Sequence, residues 1–339
     1  MTTSEDQLLD QAVKVASDAG ADLTGYTFAP VNGATQATVW KGTSPMEASA
    51  DVALRLTPKP VELITRIAAA IECVGDVVRP RTLAVGQLPD GDRWWTVHLC
   101  AWIGTGAPAR PDMRLLGQHL ARLHLALAES SLDVTDRRLT FERSPGPAPD
   151  HDLPSWDIAR HVWRDRVHAW VSLQSRQDLL QPIHGDLHWA NVVATSTGFG
   201  FIDFDKLAFA PPVFDLAKLI ATGMFSIGER AQFHAGKVTE LLQGYESLRP
   251  LTDIERAALE GAVILLNAET ARLGALYNIE GYRTRACAIG DWWITRCQRA
   301  RHDPLAVRSG RRAESQADDK GLRQMTLWSD EAGQPAGRG

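Results

Sequence analysis

The chain has 339 residues, is 44% hydrophobic and 23% charged, and carries a formal net charge of -5. It is long enough to bury a core for one large domain or two ordinary ones, and without a lysine/arginine block it argues against nucleic-acid binding or attachment to an anionic membrane. Cys73, Cys100, Cys287 and Cys297 stand singly, the opening MTTSEDQLLDQA is acidic, and no apolar run reaches the roughly 18 residues of a span, so the expectation is a cytoplasmic protein with reduced thiols, no signal peptide and no membrane helix.

Residues 5–18 repeat apolar positions at helical spacing and stop at Gly20, which predicts a short amphipathic helix. TFAPVNGATQATVWKG (27–42) reads as strand, Asn-Gly turn and strand, and ADVALRLT (50–57) alternates as a third strand with Arg55 facing away from Val52, Leu54 and Leu56. Pro60 opens a helix that runs to Gly75, and residues 81–104 are a strand, an Asp-Gly turn and a strand. A Gly/Pro-rich connector, GTGAPARPD, then leads into helical sequence. There Trp156, Trp163 and Trp170 recur at heptad spacing, which predicts a buried helix stripe in preference to a ligand-stacking role. Thr252 and Glu255 form a capping box before a long apolar-periodic helix. The predicted domains are an N-terminal helix over 1–20, a small β-rich part over 21–103, a larger helical part over 104–307 and a disordered tail over 308–339.

Within the helical part, PIHGDLHWANVVATSTGFGFIDFD (182–205) predicts one hairpin, with strands 191–194 and 199–204. Asp186 in the preceding loop, Asn191 and Asp203 fall at one end of it. Grouped carboxylates are costly unless cations neutralise them, and among chain neighbours only Lys206 is close. A hard divalent ion such as Mg²⁺ resolves that conflict, because it prefers carboxylate and amide oxygens and keeps positions for phosphate.

The combination His184-Gly185-Asp186, Asn191, Ile202-Asp203-Phe204 and Asp215-Leu216-Ala217 resembles the aminoglycoside phosphotransferase and choline kinase family, a branch of the protein-kinase-like fold. The resemblance covers about 25–302, and LGQHLARLH (116–124) is similar to the helix that this group carries after its hinge. It implies an α+β bilobal fold: a small antiparallel β-sheet lobe with one helix, and a larger, mostly helical lobe. By the same resemblance Asp186 is the catalytic aspartate that accepts the acceptor's hydroxyl proton, Asn191 and Asp203 are the Mg²⁺ ligands beside ATP, and His184 and Asp215 support the loop. Arg55 occupies the place of the usual phosphate-binding lysine, with Glu62 as its first ion-pair partner and Glu72 as the fallback. Thr35 would cover the phosphates, and Leu99, Cys100 and Trp102 would hold the adenine at the hinge. His188 and Trp189, together with Glu269, Glu280 and Asp291 beside Trp292 and Trp293, are candidate acceptor contacts, an acid-plus-aromatic lining that would suit a cationic, hydroxylated compound. Asp205 shares the facing of Asp203 and is assigned no role.

The expected activity is ATP- and Mg²⁺-dependent transfer to a hydroxyl of a small molecule. The first candidate acceptor is an aminoglycoside or other basic antibiotic, in resistance or self-protection; the alternative is an amino alcohol, sugar or amino acid. A metal-dependent phosphoesterase is disfavoured, because GDLH lacks that class's downstream motifs. A protein kinase is disfavoured by the eleven residues between Asp203 and Asp215, too few for a peptide-docking segment. An inactive kinase-fold binding module is disfavoured by the presence of all three chemical residues.

Overall fold

The computed structural model describes residues 4–292 apart from 32–36, 47–49, 73, 75–78, 92, 105–110, 131–133, 135–169, 171, 228–230, 277–279, 282–283 and 286–287. Thr35, Gly75, Trp156, Trp163, Trp293 and the segment 308–339 lie outside the described residues. In chain order the elements are α1 (Glu5–Asp18), β1 (Thr27–Pro30), β2 (Thr38–Thr43), β3 (Val52–Thr57), α2 (Val61–Glu72), β4 (Thr82–Asp90), β5 (Arg93–Ala101) and α3 (Met113–Glu129). These are followed by β6 (Gln181–Ile183), β7 (Val192–Thr195), β8 (Gly198–Phe201), β9 (Ala208–Ala210), α4 (Val213–Gly223), β10 (Phe225–Ile227), β11 (Ala231–Phe233), α5 (Ala235–Glu246) and α6 (Asp253–Leu276). The chain divides into two compact units: Met1–Ala109 with Leu125–Leu132 and Ala190–Leu207, and Arg110–His124 with Asp133–Trp189 and Ala208–Gly339.

The first unit is built on a five-stranded antiparallel sheet in the order β1-β2-β3-β5-β4. α1 starts at a reciprocal cap, in which Ser4 N–H donates to Gln7 Oε1 (3.0 Å) and Gln7 N–H donates to Ser4 Oγ (3.3 Å). Its Ala12 and Ala16 are buried with Leu54, Leu56, Val97 and Leu99 of the sheet. The small helical face matters, because α1 and β4 approach closely: a Cβ on Gly86 would lie 2.5 Å from Val15 Cγ1. α2 buries Ile64, Ile67, Ala68 and Ile71, the one-face spacing of an amphipathic helix. It follows Pro60, whose carbonyl accepts from the Leu63 and Ile64 amides.

The β7–β8 hairpin also belongs to this unit, although its sequence position falls in the helical half. At Gly104 (φ 76°) a Cβ would meet the Ala194 carbonyl oxygen at 2.5 Å, so the segment after β5 can lie against the hairpin only as glycine. The second strand is shorter than its sequence suggests. It ends at Phe201, Asp203 takes a left-handed conformation (φ 63°, ψ 56°), and Phe204–Lys206 make a single 3₁₀ turn.

In the second unit β6 pairs antiparallel with β9, and α4 packs along α6. α3 and α5 meet backbone to backbone at two glycines: a Cβ would stand 2.1 Å from Leu241 O at Gly117 and 1.9 Å from Arg114 O at Gly244. α6 begins with the capping box. The Thr252 amide donates to Glu255 Oε2 (2.9 Å) and the Glu255 amide to Thr252 Oγ1 (3.3 Å), while Arg249 pairs with Glu255 at 2.8 Å. Trp170 is buried and stacks on Phe214 with ring centroids 6.0 Å apart. No helix among the described residues is long and apolar enough to cross a membrane.

Candidate functional site

In the second unit, β6 delivers the chain into the loop 184–189. Gly185 adopts φ 76°, so the turn needs a residue without a Cβ. Asp215 sits in the first turn of α4, where a carboxylate suits the positive end of the helix. It is fully buried and accepts from the amides of His184 (2.9 Å to Oδ2) and Gly185 (3.0 Å to Oδ1). The same Oδ2 receives His124 Nε2–H at 3.1 Å. A carboxylate can only accept here, so His124 carries its proton on Nε2, and Nδ1 takes the Tyr245 hydroxyl proton at 2.7 Å. Burial lowers the pKa of His124, against the opposing pull of Asp215, and keeps the ring neutral. His184 is buried and its Nδ1 accepts the Asp186 amide at 3.3 Å.

The Asp186 side chain is 9% exposed and its Oδ1 pairs with Lys218 Nζ from α4. The Trp189 amide donates to Thr222 Oγ1 at 3.0 Å, and its indole lies against Gly223, where a Cβ would come within 2.9 Å of Cε3. His188 is half-buried, its amide bonded to the Asp186 carbonyl at 2.8 Å.

In the first unit, Asn191 is buried and its carbonyl accepts the Ile202 amide at 3.0 Å across the open end of the hairpin, next to Asp203. Arg55 reaches from β3 and divides its guanidinium between two acids. Nη1 and Nη2 lie 3.2 Å from Asp205 Oδ1 and Oδ2, and Nη2 lies 3.0 Å from Asp203 Oδ1. Lys59 adds a second cation, 3.3 Å from Asp205 Oδ2 and 3.2 Å from its carbonyl oxygen. Burial would raise the Asp205 pKa, but Arg55 and Lys59 outweigh it and hold the carboxyl below the ordinary range. Burial, reinforced by Arg55, pushes neighbouring His98 down to about 4. Burial pushes the Cys100 thiol up to about 11, so this cysteine is an inert core thiol.

Several sequence expectations change here. The acids are not short of cations: Arg55 and Lys59 neutralise Asp205 and Asp203, and Lys218 neutralises Asp186. These partners are 148 and 150 residues away in the case of Arg55, beyond reach of a local reading. Glu62 does not pair with Arg55, and neither does Glu72; both are exposed at opposite ends of α2, whereas Arg55 is largely buried beside acids already in place. Leu99 and Cys100 are inside β5, which is paired with β3 on one side and β4 on the other, so their main chain is committed to the sheet rather than to a hinge. Trp102 follows the strand; its indole N–H donates to Gly104 O (3.1 Å) and its ring lies under Lys41 Nζ at 5.3 Å. Asp291 is exposed, and Trp292 packs against Phe225 and Phe233 at centroid distances of 5.4 and 5.1 Å. Glu269 lies on α6, its side chain outside the described residues. Lys218, Lys59, His124 and Tyr245 escaped the sequence reading as site residues, and that reading gives Asp205 no role. The only available signal was the i, i+3 spacing of Lys218 from Asp215 on an apolar helix.

Among the described residues no three histidine, cysteine or acidic side chains cluster as a metal site. Asn191 and Asp203 nonetheless offer the hard oxygen donors that magnesium favours when phosphate and water complete its shell. Asp205 is occupied at both oxygens by Arg55 and Lys59.

The model of the phosphotransferase enzyme family matches residues 27–251. A homoserine kinase of Hyphomonas neptunium is 29% identical over 168 residues, 45% of this chain and 51% of that protein. A homoserine kinase of Rhodospirillum rubrum is 34% identical over 162 residues, 45% of this chain and 49% of that protein. The chain thus matches about half the length of these curated relatives. A solved microcompartment-associated aminopropanol kinase superposes with a TM-score of 0.63 at 17% identity, covering 86% of this chain and 98% of that one, which shows the shared kinase-like α+β fold. The family resemblance drawn from HGD, Asn191 and IDF holds over the greater part of the sequence, and the chain belongs to the phosphotransferase enzyme family.

Proposed function

We propose that the chain is an ATP- and Mg²⁺-dependent O-phosphotransferase acting on a hydroxyl of a small amine-bearing molecule. The observation that carries this reading is Asp186: a buried carboxylate on a loop whose backbone is bonded to Asp215 and whose side chain meets an ammonium. In the reaction the acceptor oxygen attacks the γ-phosphorus, the bond from that phosphorus to the β,γ-bridging oxygen breaks, and ADP leaves with the electron pair. Asp186 receives the hydroxyl proton and later releases it to water. Asn191 and Asp203 would hold a magnesium ion, whose charge would offset that of the nucleotide's phosphates. Arg55, which with Lys59 already offsets Asp203 and Asp205, would turn part of its guanidinium to the polyphosphate. Phosphoryl transfer asks mainly for such positioning and charge neutralisation.

For the acceptor, the two homoserine kinase relatives favour a compact hydroxy amino acid or amino alcohol. The basic-antibiotic reading rested on acids beside tryptophans. Exposed Asp291 and Glu280 keep the acidic half of it, whereas Trp292 is engaged by two phenylalanine rings. The test is to incubate the protein with Mg-ATP and, separately, L-homoserine, 1-amino-2-propanol, ethanolamine, choline and kanamycin. ADP release is followed, and products are searched by mass spectrometry for one added phosphoryl group. We expect turnover with a small amino alcohol or hydroxy amino acid, abolished in Asp186→Asn with ATP binding retained. Turnover of kanamycin alone would overturn the acceptor assignment, and normal turnover by Asp186→Asn would overturn the base.

A further inference from the structure

The loop 184–189 is gripped by one face of α4. Asp215, Lys218 and Thr222 stand at i, i+3 and i+7, the spacing that lines up side chains along a helix. Asp215 takes the amides of His184 and Gly185, and Thr222 takes the amide of Trp189. Between them, Lys218 Nζ takes Oδ1 of Asp186. Gly223 lets the Trp189 indole settle on the next turn. Arg285 Nη2 ties down the far end of the helix, at 3.2 Å from the Ala221 carbonyl oxygen and 2.9 Å from that of Thr222. Two of the three grips act on the loop's main chain. Of these three, Lys218 is the one that acts on the side chain.

That division has a physical reason. An aspartate's terminal torsion is broad and two-fold, so a pinned backbone does not fix where its oxygens point. A misplacement of about 1 Å at a reacting group can cost ~10²-fold in rate. The Lys218 and Asp186 side chains are 21% and 9% exposed, so the pair lies largely out of water, unlike a solvated surface pair of little energetic consequence. We infer that Lys218 is a positioning residue for phosphoryl transfer: its ammonium sets the rotation of the Asp186 carboxylate that receives the acceptor's proton. This rests on the reading of Asp186 as the base.

The test compares the full chain with Lys218→Met, Lys218→Arg and Asp186→Asn, using the best acceptor of the panel above, or slow hydrolysis of Mg-ATP if none is turned over. Lys218→Met should lower kcat about 100-fold with KM for Mg-ATP changed less than about two-fold, and Lys218→Arg should recover at least about ten-fold of that loss. Amide hydrogen exchange of 184–189 should be unchanged in Lys218→Met, because Asp215 and Thr222 still hold the main chain. Three results would overturn the inference while leaving the base intact: kcat of Lys218→Met within about three-fold of the parent, a rise in nucleotide KM at constant kcat, or faster exchange across the loop, which would make Lys218 a structural strut. An active Asp186→Asn would instead remove the base itself, and the inference with it.

Discussion

Tyr245→Phe offers a clean test of the buried chain that runs from α5 to the loop. The hydroxyl donates to His124 Nδ1 at 2.7 Å, and both side chains are fully buried. His124 cannot turn to another partner, since its Nε2–H is committed to Asp215 at 3.1 Å. Phenylalanine keeps the ring and its T-shaped contact with His124 but orphans a buried acceptor. The desolvation cost of such a group is ~1–3 kcal/mol, and about 2 kcal/mol is expected here. For a unit of this size that lowers the melting temperature by roughly 4–8 °C. Differential scanning calorimetry of the single variant, of His124→Leu and of the double variant gives the decisive comparison. With leucine at 124 the Tyr245 hydroxyl has lost its acceptor, so removing it should cost nothing or stabilise. An equal loss from Tyr245→Phe in both backgrounds would refute the His124 hydrogen-bond argument and assign the hydroxyl's contribution to contacts other than His124.

Other outcomes follow from the same geometry. His98 is held neutral with a pKa of about 4, and burial also lowers His124 below its ordinary 6.5. Below pH 6.5 the unfolded chain therefore binds protons that the folded chain refuses, so stability should be level above that pH and fall from there toward pH 4. Thermal melts across the window should show this, with a shallower slope in His98→Gln; a flat profile would contradict it. Gly244→Ala drives a Cβ to 1.9 Å from the Arg114 carbonyl and should cost about 3 kcal/mol in denaturant unfolding, whereas Gly236→Ala, with nothing within 4 Å, should be neutral or stabilising. Arg55→Lys cannot span Asp203 and both oxygens of Asp205, and should destabilise by about 2 kcal/mol while raising nucleotide KM.

The alternating ADVALRLT, the Asp-Gly turn before β5, the capping box at Thr252 and the apolar face of α2 were legible because each depends on spacing along a few residues. So was the family, since HGD, Asn191 and IDF are grouped within twenty-one residues, from His184 to Phe204. Less was legible at the hairpin's end, where the apolar run GFIDF looked like strand throughout. Asp203 instead adopts a left-handed backbone, and its carboxylate meets Arg55. Propensity over five residues has no term for an arginine arriving from β3.

What the sequence determined alone was therefore periodic or contiguous: the helices, the strands, and the order of the loop acids. What only the tertiary structure decided was who neutralises those acids. Arg55 and Lys59 converge on Asp205, Lys218 on Asp186, and the His124–Tyr245 pair stands behind Asp215. Electrostatic partnership depends on distance and burial after folding, and neither is written in chain separation.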